Sequence, residues 1–217
     1  MGIALSALRF LLDEGRKAAW HGNLLTLGRQ DIAFSSVDLC RAAAEQGYAL
    51  RSAEIASRHH GDRQHADDVS VFRALGFESV SVLDASEYEN PTVVHDLNDP
   101  ALPAPLLDSF DLVLDAGTLE HVFDIPCALR SICRMTRQGG RIIHISPASN
   151  CVDHGFYSFS PTLFADFYEV NGFDLRRMAI ARFISDPVKE NWEMRDYDPS
   201  AWGTIGALDS GTYFLLA

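Results

Sequence analysis

The 217-residue chain predicts an α/β fold built on a mostly parallel sheet with helices on both faces. Two observations carry this reading. Short apolar runs alternate with amphipathic segments from one end of the chain to the other. Those runs are nearly continuous rather than alternating with polar residues, as strands covered on both faces are. The length suits one domain, residues 1–217, enlarged by an insertion at about 31–78.

Leu5, Leu8, Leu11 and Leu12 stand at helical spacing, and this opening helix gives way at His21-Gly22-Asn23 to a strand, Leu24 to Leu27, stopped by Gly28. Ser35 and Asp38 form a capping-box pattern for a helix ending at Gly47. Tyr48 to Ala66 shows no period and reads as a loop, and a helix over Asp67–Leu75 follows, closed by Gly76. Strand character returns at Val80 to Asp84 and at Thr92 to His95, and is clearest at Phe110 to Asp115. A helix opened by Pro126 carries Leu129, Ile132 and Met135 inward and is expected to close at Gly139-Gly140. Ile142 to Ile145 is the next strand. Ser160-Pro161 then caps a helix that buries Phe164, Phe167 and Tyr168 as core. A strand near Leu175 to Ile184, a loop from Ser185 to Ser210 with Trp192 and Trp202 as lid or interface residues, and a strand from Thr212 to Leu216 complete the chain.

Composition excludes several roles. With 18 basic and 30 acidic residues the formal charge is −12, unsuited to a nucleic-acid partner. The four cysteines contain no C-x-x-C pair, and His59, His60 and His65 lie in a polar segment without partnered Cys or Glu, so no metal site is expected. Charged residues interrupt the N-terminal apolar stretch, and no run reaches the length of a membrane span; a cytoplasmic protein without membrane partners is expected.

In an open parallel sheet, ligands collect outside the carboxyl ends of the strands. Those ends read Gly28-Arg29-Gln30, Asp84-Ala85-Ser86, Asp96-Leu97-Asn98, Asp115-Ala116-Gly117-Thr118 and a stretch ending at Asn150. Acidic residues thus close three consecutive strands, each with a possible role in holding a nucleoside. The absence of GxGxxG speaks against a dinucleotide.

The segment Phe110 to Gly140, FDLVLDAGTLEHVFDIPCALRSICRMTRQGG, resembles the fourth strand and following helix of class I S-adenosylmethionine-dependent methyltransferases of the type 11-like group. The resemblance implies a Rossmann-like three-layer sandwich with a seven-stranded sheet whose last strand is antiparallel, a helical insertion after the first strand, S-adenosylmethionine as cofactor and a small-molecule substrate. It places Gly28, Arg29 and Gln30 by the methionine part of the cofactor, Asp84 on both ribose hydroxyls with Ala85 and Ser86 beside it, and Asp96, Leu97 and Asn98 at the adenine. Asp115, Ala116, Gly117 and Thr118 would line the methionine side, with Glu120 and His121 facing the cavity. The first loop, LGRQD, is degenerate where the family keeps two or three glycines, and the interval from Gly28 to Asp84 is about 35 residues longer than the roughly 20 usual in such folds.

Past the fifth strand, NCVDHGFYSFS brings Asn150, Asp153, His154, Phe156, Tyr157 and Phe159 to the position where the family keeps acceptor-binding groups. Aromatic faces there would stabilise a sulfonium by about 0.5–2 kcal/mol. His154, His121 and Tyr157 are the expected catalytic side chains, a histidine serving as base near neutral pH. The expected activity is methyl transfer to an oxygen or nitrogen of a small metabolite or biosynthetic intermediate. Two alternatives are a cyclase or lyase that releases methylthioadenosine, suggested by the altered Arg29-Gln30 loop, and a non-catalytic nucleoside-binding module.

Overall fold

The computed structural model describes residues 2–52, 54–60, 63–182, 192–201 and 208–217. In chain order its elements begin with β1 (Gly2–Ile3), α1 (Leu5–Lys17), β2 (Asn23–Leu27), β3 (Asp31–Ile32) and α2 (Ser36–Glu45). Next come β4 (Ser57–His60), β5 (Arg63–Ala66), α3 (Asp68–Leu75), β6 (Ser79–Asp84), β7 (Val93–Val94) and β8 (Phe110–Ala116). The chain ends with α4 (Ile125–Met135), β9 (Thr136–Ser149), α5 (Pro161–Val170), β10 (Ala179–Arg182), β11 (Glu193–Asp196) and β12 (Tyr213–Leu216).

The main sheet has the order β11-β10-β12-β9-β8-β2-β6-β7. From β7 to β9 all neighbours are parallel, whereas β12 runs antiparallel between β9 and β10. This is the expected Rossmann-like α/β sheet with an antiparallel last strand, plus one correction: an eighth strand, β11, pairs antiparallel on the outer edge of β10. Its residues Glu193 to Asp196 are all exposed, so no buried alternation marks them as a strand in the sequence.

Side-chain alternation along the central strands builds two cores. Leu24, Leu112 and Leu114 join Leu8, Leu12, Leu39, Phe72 and Leu75 from the first three helices on one face. Leu25, Leu27 and Val113 join Leu129 and Ile132 of α4 and Phe164 and Tyr168 of α5 on the other. Both faces are covered by packed side chains, which accounts for the unbroken apolar runs.

The helix starts follow their capping residues. Ser35 and Asp38 complete a capping box on α2, Asp67 accepts from the Ser70 amide at α3, and Ser160 accepts from the Thr162 amide ahead of α5. Two boundaries differ from expectation. The segment expected as a loop through Ala66 contains the antiparallel hairpin β4–β5, so the crossover from β2 to β6 carries two helices and a hairpin. Helix α4 stops at Met135 because Thr136 already pairs with Phe110, and Gly139-Gly140 lies within β9. Trp192 stacks its ring on Phe214 with centroids 6.2 Å apart; Trp202 lies outside the described residues. Among the described residues no helix is long and apolar enough to cross a membrane.

Candidate functional site

Strand order reverses at β2, which has β6 on one side and β8 on the other, so the crevice where such sheets bind ligands opens between the ends of β2 and β8. The two ends are tied together: Thr118 Oγ1 donates to the carbonyl of Leu27 at 2.5 Å. Gly28 turns the chain here at φ +73°, and a Cβ on it would lie 2.9 Å from Thr118 Oγ1. The backbone of this turn is thereby left bare toward the crevice, as a cofactor approached by backbone requires.

The bulky residues after Gly28 are committed to the protein itself. Arg29 makes an ion pair with Asp68 at 3.0 Å and donates to the carbonyls of Glu89 and Asn90, bracing the first loop against α3 and the turn after β6. Gln30 is buried, and its amide nitrogen donates to the carbonyls of Leu27 and Gly28. The side chains that suggested a reaction confined to the methionine tail are thus structural braces of the first loop.

Asp84 is half-buried at the end of β6, and its Oδ1 accepts from the amide and hydroxyl of Ser86. Oδ2 receives no hydrogen bond from the described residues and is available to an outside donor. Ala85 and Ser86 are exposed beside it. Asp96 is exposed, and the Asn98 amide and side chain, donating to it at 2.9 and 2.7 Å, hold its carboxyl below the usual carboxylate range. Asn98 Oδ1 accepts from the Asp124 amide at 2.8 Å, while Leu97 is buried. A free carboxylate oxygen, a bare glycine turn and a rigid Asp-Leu-Asn corner fit the ribose, methionine and adenine parts of the expected cofactor.

Asp115 requires a correction. It lies on the face covered by α4 and α5, is fully buried, and does not line the crevice. Its Oδ1 accepts from the amides of Thr118 and Leu119, each at 3.1 Å, and its Oδ2 meets His144 Nδ1 at 2.8 Å and the Ser146 hydroxyl at 3.3 Å. His144 Nε2 in turn lies 2.7 Å from the Tyr168 hydroxyl, and its ring stacks on Phe164 with centroids 4.3 Å apart. A neutral imidazole satisfies every partner when Nδ1 donates to Asp115 and Nε2 accepts from Tyr168. Burial raises the Tyr168 phenol well above its ordinary range, consistent with a hydroxyl that stays protonated. Of the four residues expected on the methionine side, Ala116 and Gly117 are also buried, leaving the half-buried Thr118 at the mouth of the turn.

Beyond this turn a single 3-10 turn, Leu119–His121, presents Glu120 and His121. The segment after β9 closes over it: the Phe156 amide donates to the Glu120 carbonyl at 2.7 Å, and His154 Nε2 lies 3.2 Å from Glu120 Oε1. The rings of His121 and His154 meet edge to face at 5.0 Å. Glu120 is completely buried; desolvation first, and the charge of Asp115 second, raise its carboxyl to about 7. Its Oε2 has no hydrogen-bond partner among the described residues. Desolvation, and secondarily His154, lower the His121 imidazole.

Gly155 makes this closure possible. It sits at φ +74°, and a Cβ would lie 2.8 Å from both Cγ and the carbonyl oxygen of Glu120. Gly155→Ala is expected to lower the unfolding free energy by about 1–3 kcal/mol and to part His154 from Glu120. A urea midpoint equal to that of the unaltered protein would contradict this packing.

The remaining expected residues divide. Phe156 is exposed and meets the exposed Phe123 edge to face at 5.9 Å, forming an aromatic lip beside the Glu-His cluster. The Tyr157 hydroxyl donates to the Phe123 carbonyl at 2.9 Å and braces that lip. Asp153 is exposed. One assignment is corrected. Phe159 is buried against Phe164 and belongs to the core. Asn150 donates to the carbonyls of Asp209 and Gly211 and fixes the approach to β12. The Asp115–His144–Tyr168 chain was missed because it joins residues 24 to 29 positions apart on separate elements. Its only sequence signal was a histidine inside an otherwise apolar strand.

A sequence profile described as a methyltransferase domain matches residues 38–198. No curated protein matches the chain significantly. Among solved structures it is similar to an S-adenosylmethionine-dependent methyltransferase, possibly a histamine N-methyltransferase by its description, from Thermotoga maritima; identity is 15% over 97% of this chain and 88% of that one, with a TM-score of 0.44. The YcgJ protein of Bacillus subtilis shares 13% identity over 80% of this chain and 74% of its own, with a TM-score of 0.41. The CMeT domain of citrinin polyketide synthase shares 11% over 98% of this chain but 51% of its own, with a TM-score of 0.47. Since the profile covers most of the chain, the protein belongs to the methyltransferase domain family and is an S-adenosylmethionine-dependent methyltransferase.

Proposed function

We propose that the enzyme methylates an oxygen or nitrogen of a small molecule. The observation that carries this reading is the joining of Glu120, His121 and His154 beside the exposed Phe123–Phe156 pair. Proton-accepting groups suit an acceptor whose nucleophile carries an ionisable hydrogen, and the aromatic lip suits an acceptor with an apolar body. The cofactor supplies a methyl group already activated on a sulfonium, so the chain's own tasks are positioning, exclusion of water and disposal of one proton.

On this reading Asp84 holds the ribose, Asp96, Leu97 and Asn98 the adenine, and the Gly28 turn with Gly117 and Thr118 the methionine end. Ala85 and Ser86 border the ribose. His154, with Glu120 behind it, takes the proton of the acceptor; His121 and Phe156 meet the acceptor itself, and Tyr157 holds the lip in place. Asp153 stands at the outer rim.

Incubating the full chain with S-adenosylmethionine and panels of small hydroxyl- and amine-bearing acceptors, followed by mass spectrometry, tests the proposal. S-adenosylhomocysteine together with an acceptor heavier by one methylene is expected. Release of methylthioadenosine would instead indicate displacement within the cofactor. His154→Ala is expected to lower turnover about 10²-fold or more while S-adenosylhomocysteine binds as before; unchanged turnover would remove His154 from the reaction.

A further inference from the structure

We propose that Glu120, His121 and His154 bind a divalent transition-metal ion. One coordinating atom from each residue lies within 4.8 Å of those of the other two, a separation that small side-chain movements close around a single ion. The arrangement is built by the backbone. Asp115 accepts from the amides of Thr118 and Leu119 and so fixes the turn that carries Glu120 and His121. Gly155 and the Phe156-to-Glu120 hydrogen bond then lay His154 over that turn.

A second observation points to a ligand. The Glu120 side chain is completely buried, one carboxylate oxygen faces His154, and the other has no hydrogen-bond partner among the described residues. An orphaned buried carboxylate oxygen is costly to leave unsatisfied. A Glu–His154 hydrogen bond alone accounts for neither that oxygen nor the presence of His121, whereas a cation draws on all three groups.

The donor set names the class of ion. Two imidazoles and one carboxylate suit zinc, iron, cobalt, nickel or manganese, while calcium and magnesium favour shells made wholly of oxygen. His121 is exposed and His154 is 37% exposed, so the ion is reached from solvent and keeps positions open for water or an acceptor atom. An oxygen or nitrogen bound there loses its proton more readily; in the loaded enzyme His154 is then a ligand and the proton passes to water. That use rests on the acceptor-side reading above, whereas the site itself does not.

The test is titration of the chelator-treated full chain with Co²⁺, followed by visible d–d absorption, with calorimetric titration of S-adenosylhomocysteine in parallel. One ion per chain is expected, together with at least about 10-fold weaker binding in Glu120→Gln, His121→Ala and His154→Ala. A variant with His59, His60 and His65 all changed to Ala controls for the histidines of the hairpin and is expected to bind as the unaltered protein does. Absence of a d–d band, a band unchanged in His121→Ala and His154→Ala, or a band lost with the hairpin histidines would overturn the proposal. His121 and His154 are solvent-accessible, so these variants keep the test decisive if Glu120→Gln does not fold. Homocysteine-form cofactor binding without cobalt binding would overturn the metal site and leave the methyl-transfer reading standing; cobalt binding without cofactor binding would do the reverse.

Discussion

Asp115→Ala is expected to lower the unfolding free energy by about 3–5 kcal/mol, because four buried donors lose their common acceptor and each group left unsatisfied costs about 1–3 kcal/mol. For a chain of this length that corresponds to a fall in melting temperature on the order of 10 °C. The substitution strips two backbone amides, an imidazole N–H and the Ser146 hydroxyl of their common acceptor inside a dry layer. Asp115→Asn should cost less, because its carbonyl oxygen still caps the Thr118–Leu119 amides. Tyr168→Phe, which removes only the hydroxyl at His144 Nε2, should cost about 1–2 kcal/mol. Urea unfolding of the three variants provides the check. A loss under about 1 kcal/mol for Asp115→Ala would mean that the network is not the brace described. The same variant should bind S-adenosylhomocysteine more weakly only in so far as the turn from Gly117 to His121 loosens.

Asp115 also marks how far the sequence could be read. The alternation of apolar runs and helices predicted the mostly parallel sheet, and the capping residues the helix starts, because those signals are local; the antiparallel last strand followed from the resemblance carried by the Phe110–Gly140 segment. The orientation of a strand-end carboxylate is not local. With both faces of the sheet covered, the pattern along β8 does not distinguish the crevice from the α4–α5 layer, so Asp84 and Asp115 looked alike. The hairpin β4–β5 escaped because SRHH and RQHA hold none of the β-branched and aromatic residues that announce a strand. The meeting of Glu120 with His154, 34 residues later, follows from the turn of Gly155 and was invisible as spacing. Arg29 and Gln30, by contrast, were read by residue type alone; the partners of Arg29, which are Asp68, Glu89 and Asn90, lie 39 to 61 positions away.

Replacing Asp84 should weaken cofactor binding more selectively than any other single change in the crevice. Oδ1 is already engaged by Ser86, and that Asx-type turn keeps Oδ2 directed outward, where a ribose diol can donate to it. Asp84→Ala removes both oxygens and is expected to cost about 1–3 kcal/mol of S-adenosylhomocysteine affinity, roughly 5- to 150-fold in Kd. Asp84→Asn separates the two functions. Its carbonyl oxygen can still accept from the Ser86 amide and preserve the turn, but the amide nitrogen left in place of Oδ2 offers a donor to hydroxyl groups that need an acceptor. If the carboxylate acts on the ribose, both variants should lose affinity for S-adenosylhomocysteine while binding of ribose-free fragments is unaffected. If Asp84 only shapes the turn, Asn should bind as Asp does and Ala alone should fall. Calorimetry on the three proteins decides between these outcomes, and wild-type affinity in Asp84→Asn would move the ribose contact to another residue of the crevice.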